Sequence, residues 1–175
     1  QFALDILPAG KYGFKVKAVT ESGKESAWSE SVAYEKQEVS PFEMKLINAN
    51  TEYEIKSVGI ASGEVVIENT YKGLPITSIG DKAFANSYVS SIKLGDNIKS
   101  IGNSAFKNCS KLTAITLNEG LTEIGDYAFQ SCSSLEKIEM PETLLTLGEN
   151  AFSYCTALKS VELNGGCKKI SGNAF

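Results

Sequence analysis

Three thiols stand at a fixed interval. Cys109, Cys132 and Cys155 lie 23 residues apart, and Ser87 occupies the equivalent place one copy earlier. Such a row invites disulfide, metal or redox chemistry, and geometry argues against all three. If each interval is one coil of a stack, neighbouring Cα atoms come within disulfide range. The Cβ vectors, however, run parallel and roughly 4.8 Å apart, beyond the usual Cβ separation of a disulfide. A straight row is equally unsuited to tetrahedral zinc, whose ligands converge from several directions. The expectation is a buried ladder of small apolar thiols. Cys167, at the place of Ile98, Leu121 and Leu144, is expected in the core as well.

A second regular set carries oxygen. Asp81, Asn103, Asp126 and Glu149 each follow a glycine. A row of calcium ligands is one reading. The simpler one is an acceptor that caps free N–H groups at the start of a helical turn. The glycine itself would ease a tight corner, and because Ser171 replaces it in the last copy, a left-handed backbone is not demanded there.

The remaining inventory excludes more chemistry than it supplies. All 17 positive residues are lysine, with no arginine and no histidine. Imidazole-dependent triads and zinc sites are therefore absent, as is the guanidinium fork that reads phosphate or carboxylate. A net charge of −4 without a basic cluster argues against nucleic acid. No catalytic residue, metal site or cofactor is assigned, and the chain reads as a non-enzyme. No apolar run approaches 18 residues and no signal-like start is present, so no membrane insertion is expected within this chain. With Gln1 at its start and Phe175 in mid-repeat, it reads as a piece of a longer polypeptide.

The elements that position these columns come from the repeat itself. Ile101-Gly102, Ala105-Phe106, Cys109, Leu112, Ile115 and Leu117 return as Ile124-Gly125, Ala128-Phe129, Cys132, Leu135, Ile138 and Met140. They return again as Leu147-Gly148, Ala151-Phe152, Cys155, Leu158, Val161 and Leu163, with an earlier copy from Ile79 and a clipped one at Ile170. A period of this size is the signature of a solenoid. The period of two in Ile115 and Leu117 marks a short strand with one buried face, and Thr116 points outward. The spacing from Phe106 to Cys109 predicts a single helical or 3₁₀ turn. One coil cannot bury its own face, whereas stacked coils build continuous inner ladders.

This pattern resembles the 23-residue leucine-rich repeat of BspA-type (Treponema-type) bacterial surface proteins. Leu135 to Pro141, Leu144, Leu147-Gly148, Ala151-Phe152 and Cys155 carry the match most fully. The resemblance implies a leucine-rich repeat solenoid of short parallel strands and short helical turns over residues 64–175. It also implies a secreted or cell-surface location and adhesion to a host or bacterial surface protein or glycan.

Residues 1–40 follow another pattern. The run Leu7 to Tyr12, the alternation from Phe14 to Ala18, Trp28 and the strand Ser31 to Tyr34 are similar to the last part of a fibronectin type III module, with Tyr12 at its tyrosine corner. The polar stretch Glu35 to Pro41 marks a boundary. Residues 41–63 are expected to cap the solenoid as a β-meander of the runs at Met44, Tyr53 and Glu64, the last doubling as the first solenoid strand, with Val65 and Ile67 in the places of Ile92 and Leu94.

With no chemistry inside, function is sought on the outward sheet positions. Ser91, Lys93, Gly95; Ala114, Thr116, Asn118; Lys137, Glu139, Pro141; and Ser160, Glu162, Asn164 form columns. The candidate ligand-binding set is Lys93, Thr116, Asn118, Lys137, Glu139, Glu162 and Asn164. Tyr88, Tyr127 and Tyr154 are expected on the turn side as alternative contacts. The reading is a non-catalytic interaction scaffold; the alternatives are an accessory module of a larger secreted glycosidase or peptidase, or a passive surface stalk.

Overall fold

A computed structural model describes residues 10–14, 24–27, 32–36, 42–59, 61–163 and 165–175. The chain divides into two compact units, Gln1–Val39 and Ser40–Phe175. In the first, β1 (Gly10–Phe14) pairs antiparallel with β2 (Val32–Lys36). A two-stranded ladder alone does not establish a fibronectin-type sandwich. The strand expected from Val16 to Ala18, its turn at Glu21 and Trp28 lie outside the described residues.

The second unit is a β-solenoid. Its first strands are β3 (Glu43–Ile47), β4 (Glu52–Ser57), β5 (Ser62–Val66), β6 (Thr70–Tyr71) and β7 (Leu74–Ile79). Then β8 (Tyr88–Lys93), β10 (Ala114–Thr116), β12 (Lys137–Glu139) and β14 (Ser160–Glu162) alternate with two-residue strands. Those short strands are β9 (Ser100–Ile101), β11 (Glu123–Ile124), β13 (Thr146–Leu147) and β15 (Lys169–Ile170). Each full coil therefore carries two strands, where the sequence led us to expect one. β5, β8 and β10 join in parallel, as do β12 and β14. On another side, β15, β13, β11, β9 and β7 form a parallel ladder that β4 and β3 extend.

The cap is accordingly not a meander. β3 and β4 form an antiparallel hairpin, and β4 then lies parallel to β7, while β5 pairs with β8 in the other ladder. The solenoid thus begins on both ladders at once. The register places Val65 beside Ile92, and the Ile67 N–H donates to the Lys93 carbonyl, as the repeat predicts.

The third side holds no helix. Between Gly102 and Cys109, alternate N–H groups go in two directions. Those of Ala105, Lys107 and Cys109 donate three residues back, to Gly102, Ser104 and Phe106. Those of Ser104, Phe106 and Asn108 donate to Asp126, Ala128 and Gln130 of the next coil at 2.8, 2.7 and 2.8 Å. Turning every second amide outward requires left-handed residues, and Ser104 (φ 55°) and Asn108 (φ 61°) supply them. Lys82, Tyr127 and Asn150 repeat the first position, and Asn86, Ser131 and Tyr154 the second. A left-handed residue other than glycine costs roughly 1–2 kcal/mol, and a net hydrogen bond of about 0.5–1.5 kcal/mol to the next coil offsets it. Asparagine recurs because it tolerates this region best.

Inside, side chains from one coil sit on their counterparts in the next. Phe84, Phe106, Phe129 and Phe152 are at most 2% exposed. Ile98, Leu121 and Leu144 make a second fully buried column, and Ile79, Ile101, Ile124 and Leu147 a third. Leu112 and Leu135 are also fully buried.

Candidate binding face and the columns beneath it

The face of β8, β10, β12 and β14 is two columns wide. Register aligns Ser91 with Ala114 and Lys93 with Thr116, and further along Lys137 with Ser160 and Glu139 with Glu162. Lys93, Thr116, Lys137, Glu139 and Glu162 are all exposed, as the alternation requires. The charged members partner one another: Lys137 bonds to Glu139 and lies 3.4 Å from Glu162. Hydrogen bonding to Glu139 and then Glu162 raises its pKa. Exposed pairs of this kind contribute about 0–1 kcal/mol, so they shape the surface more than they stabilise it.

The third expected column does not belong to the face. Gly95, Asn118 and Pro141 are buried, and Asn164 lies outside the described residues. The strands end at Lys93, Thr116 and Glu139, and beyond them the chain turns the corner instead of continuing to alternate. Asn118 is 8% exposed and spends its amide on the preceding coil, donating to Asp96 O at 3.0 Å and Ile98 O at 2.8 Å. Its role is to satisfy the corner's carbonyls.

The thiols form the expected column. Cys109 and Cys132 are fully buried, Cys155 is 8% exposed, and all four cysteines are free. Each ladder thiol donates to the carbonyl of the phenylalanine one coil back: Cys109 to Phe84 (3.0 Å), Cys132 to Phe106 (3.1 Å), Cys155 to Phe129 (3.1 Å). Ser87 closes the row, 3.3 Å from Cys109. Contact with the Cys109 and Cys155 thiols, and then burial, push the Cys132 thiol far above its ordinary range. It is neutral and a poor nucleophile. Cys167 is only half-buried, because no further coil covers it among the described residues. Native protein should therefore react with a thiol reagent at Cys167 first, with Cys109, Cys132 and Cys155 released only on unfolding. Rapid modification of Cys132 in the native state would overturn this.

The oxygen column does cap N–H groups, but those of the next coil. Asp81 Oδ1 accepts from Asn103 N (2.7 Å), Asn103 Oδ1 from Asp126 N (2.8 Å), and Asp126 Oδ1 from Glu149 N (2.7 Å). The local capping rule finds the right atoms and the wrong coil. Of the tyrosines, Tyr154 is 74% and Tyr88 59% exposed, at separate places, with Tyr88 opening β8. Tyr127 is half-buried under the Lys107 ammonium, 5.7 Å from the ring centroid.

Repeated coils, parallel ladders and a leucine, isoleucine and phenylalanine interior define a leucine-rich repeat solenoid. The chain belongs to the BspA type leucine rich repeat family, whose model matches residues 77–175 in 6 copies. A crystal structure of a Treponema pallidum leucine rich repeat protein matches with a TM-score of 0.74 and 33% identity, over 80% of this chain and 66% of that one. A Bacteroides capillosus leucine-rich repeat protein matches with a TM-score of 0.64 and 26% identity, over 73% of this chain and 97% of that one. A leucine rich cell surface protein of Faecalibacterium prausnitzii shares the fold, with a TM-score of 0.56 and 24% identity over 79% of this chain and 45% of that one. No curated protein matches the chain.

Proposed function

We propose that the chain is a non-catalytic interaction scaffold, at a bacterial cell surface or secreted, that adheres through the outward face of β8, β10, β12 and β14 to a surface protein or glycan. The observation that carries this reading is the register of that face: Lys93, Thr116, Lys137, Glu139 and Glu162 are exposed on a backbone fixed by parallel pairing. Solenoids commonly bind with such extended surfaces, and BspA-type resemblance supports the adhesive role. Without arginine or an aromatic anchor, affinity should be modest and salt-sensitive.

An array of glycans and extracellular proteins, probed with the wild type and a Lys93→Ala, Lys137→Ala, Glu139→Ala triple variant, tests it. The expected result is a ligand that the triple variant loses while its stability stays within about 0.5 kcal/mol of wild type. Equal binding by both proteins would remove this face from consideration and turn attention to Tyr127 and Tyr154.

A further inference from the structure

The short-strand ladder has an outer face of its own. Next to its inward column of Ile55, Ile79, Ile101, Ile124, Leu147 and Ile170, register builds an outward column of Glu54, Ser78, Ser100, Glu123, Thr146 and Lys169. Small side chains in the middle of that row leave a cleft of about 390 Å³ over β4, β7, β9 and β11. This is within the usual size of a small-ligand site.

Two independent features mark it. Ser78 lines the cleft and is 8% exposed, and its hydroxyl has no hydrogen-bond partner. A buried hydroxyl left unpaired is costly, and a ligand that pairs it recovers that cost. The cleft is also strongly acidic, with Glu52, Glu54, Asp81 and Glu123 facing a single lysine, Lys99. Glu52 is fixed in place, accepting from Thr77 Oγ1 and Asn48 Nδ2 at 2.7 Å each, with Lys99 3.6 Å away. Those bonds, Thr77's first, lower its pKa and keep it ionised. Glu54 lies 3.5 Å from Lys45 at the rim. Asp81 and Glu123 have no cationic partner among the described residues.

We propose that this cleft binds a primary alkylammonium group, as presented by a lysine side chain of a partner protein. Carboxylates and an unpaired hydroxyl accept all three ammonium protons, whereas an anion would meet repulsion. Ile47 at the edge offers apolar surface to the methylene stem. The lining holds no aromatic ring on which a sugar could stack, and among the described residues no three acidic side chains converge as a metal ion requires. The site lies on a different ladder from the proposed adhesive face, so the two readings stand or fall separately.

The probe is acetyl-Gly-Lys-Gly-amide, titrated into the isotopically labelled chain and followed by amide NMR. Saturable shifts at Ser78, Ser100 and Glu123 are expected, with none from the norleucine peptide of equal shape. Asp81→Asn, which keeps the oxygen that caps Asn103, and Ser78→Ala should each weaken binding about fivefold through loss of one charge-assisted contact. The Asp81→Asn transition should match the wild type and that of Ser78→Ala should match or exceed it, since the unpaired hydroxyl is removed. Neither falls below the wild type, which separates lost binding from lost fold. Absent shifts, equal shifts with norleucine, or unchanged affinity in both variants would overturn the proposal. Binding of glucosamine without the lysine peptide would overturn the assignment to a protein side chain.

Discussion

Replacing Phe129 by alanine should destabilise the solenoid by about 3–5 kcal/mol, the range for truncating a buried phenylalanine. The ring is fully buried, 5.0 Å from Phe106 at an interplanar angle of 8° and 5.0 Å from Phe152 at 6°. The stack continues to Phe84 at 4.8 Å and Phe175 at 5.7 Å, and Phe42 lies 6.0 Å beyond Phe84. Such aromatic contacts add about 0.5–1.5 kcal/mol beyond area burial. Collapse cannot refill the void easily, because the backbone on both sides is fixed: Phe129 N donates to Ala151 O, and Phe129 O accepts from Cys155. Phe175→Ala is the internal comparison. That ring is 52% exposed and stacks on one neighbour, so its loss should cost about 1 kcal/mol or less, in line with an ordinary surface change. Urea denaturation measures both. A cost below about 1 kcal/mol for Phe129→Ala would contradict the continuous column. Hydrogen exchange should rise in both adjacent coils, since repeat stability resides in neighbour interfaces.

The inward columns were legible because they depend on one coil's own spacing. Ile115 two residues before Leu117, and Phe106 three before Cys109, state which side faces in. Burial agrees for Ile115, Phe106 and Cys109, while Leu117 is only partly covered and, in the last coil, Leu163 and Ile170 are exposed. What sequence reasoning missed depends on the next coil. Ser100-Ile101 is too short for alternation to show, and it becomes a strand only through pairing with Ser78-Ile79 and Glu123-Ile124. The turn from Ser104 to Asn108 has helical spacing, yet alternate amides bond to carbonyls about a period away, which no local rule anticipates. Extending the alternation past Thr116 places Asn118 outward, but the strand ends at Thr116. In the cap, alternation identified Met44, Tyr53 and Val65 as strand residues, but it carries no information on which ladder each joins. Ser78 lacked any signal. Its place in an acidic cleft follows from the register of β4, β7 and β9, which brings Glu54, Ser78 and Ser100 side by side.

The same dependence on the neighbouring coil makes Gly148→Ala the other severe change expected. Gly80, Gly102, Gly125 and Gly148 are not left-handed, so the reason for glycine is not conformational freedom. It is distance. A Cβ built on Gly148 would lie 2.4 Å from Gly125 C, 2.5 Å from Asp126 N and 2.6 Å from Gly125 O, all backbone atoms of the coil below. No rotamer change relieves such a contact. The coils would have to separate where Gly148 N donates to Ile124 O at 2.8 Å and Asp126 Oδ1 accepts from Glu149 N at 2.7 Å. The two bonds and the overpacking act together, and a loss of about 3 kcal/mol or more is expected. Ser171 occupies the equivalent place in the last coil, which among the described residues has a neighbour on one side only and so has room to shift. Gly172→Ala supplies the contrast, since a Cβ there meets nothing within 4 Å and its φ is not positive. It should leave stability unchanged or raise it by about 0.4–1 kcal/mol, because alanine restricts the unfolded chain. Thermal or urea unfolding of the two variants decides the matter. If Gly148→Ala loses no more stability than Gly172→Ala, the glycine column is a feature of composition and not what sets the approach of one coil to the next.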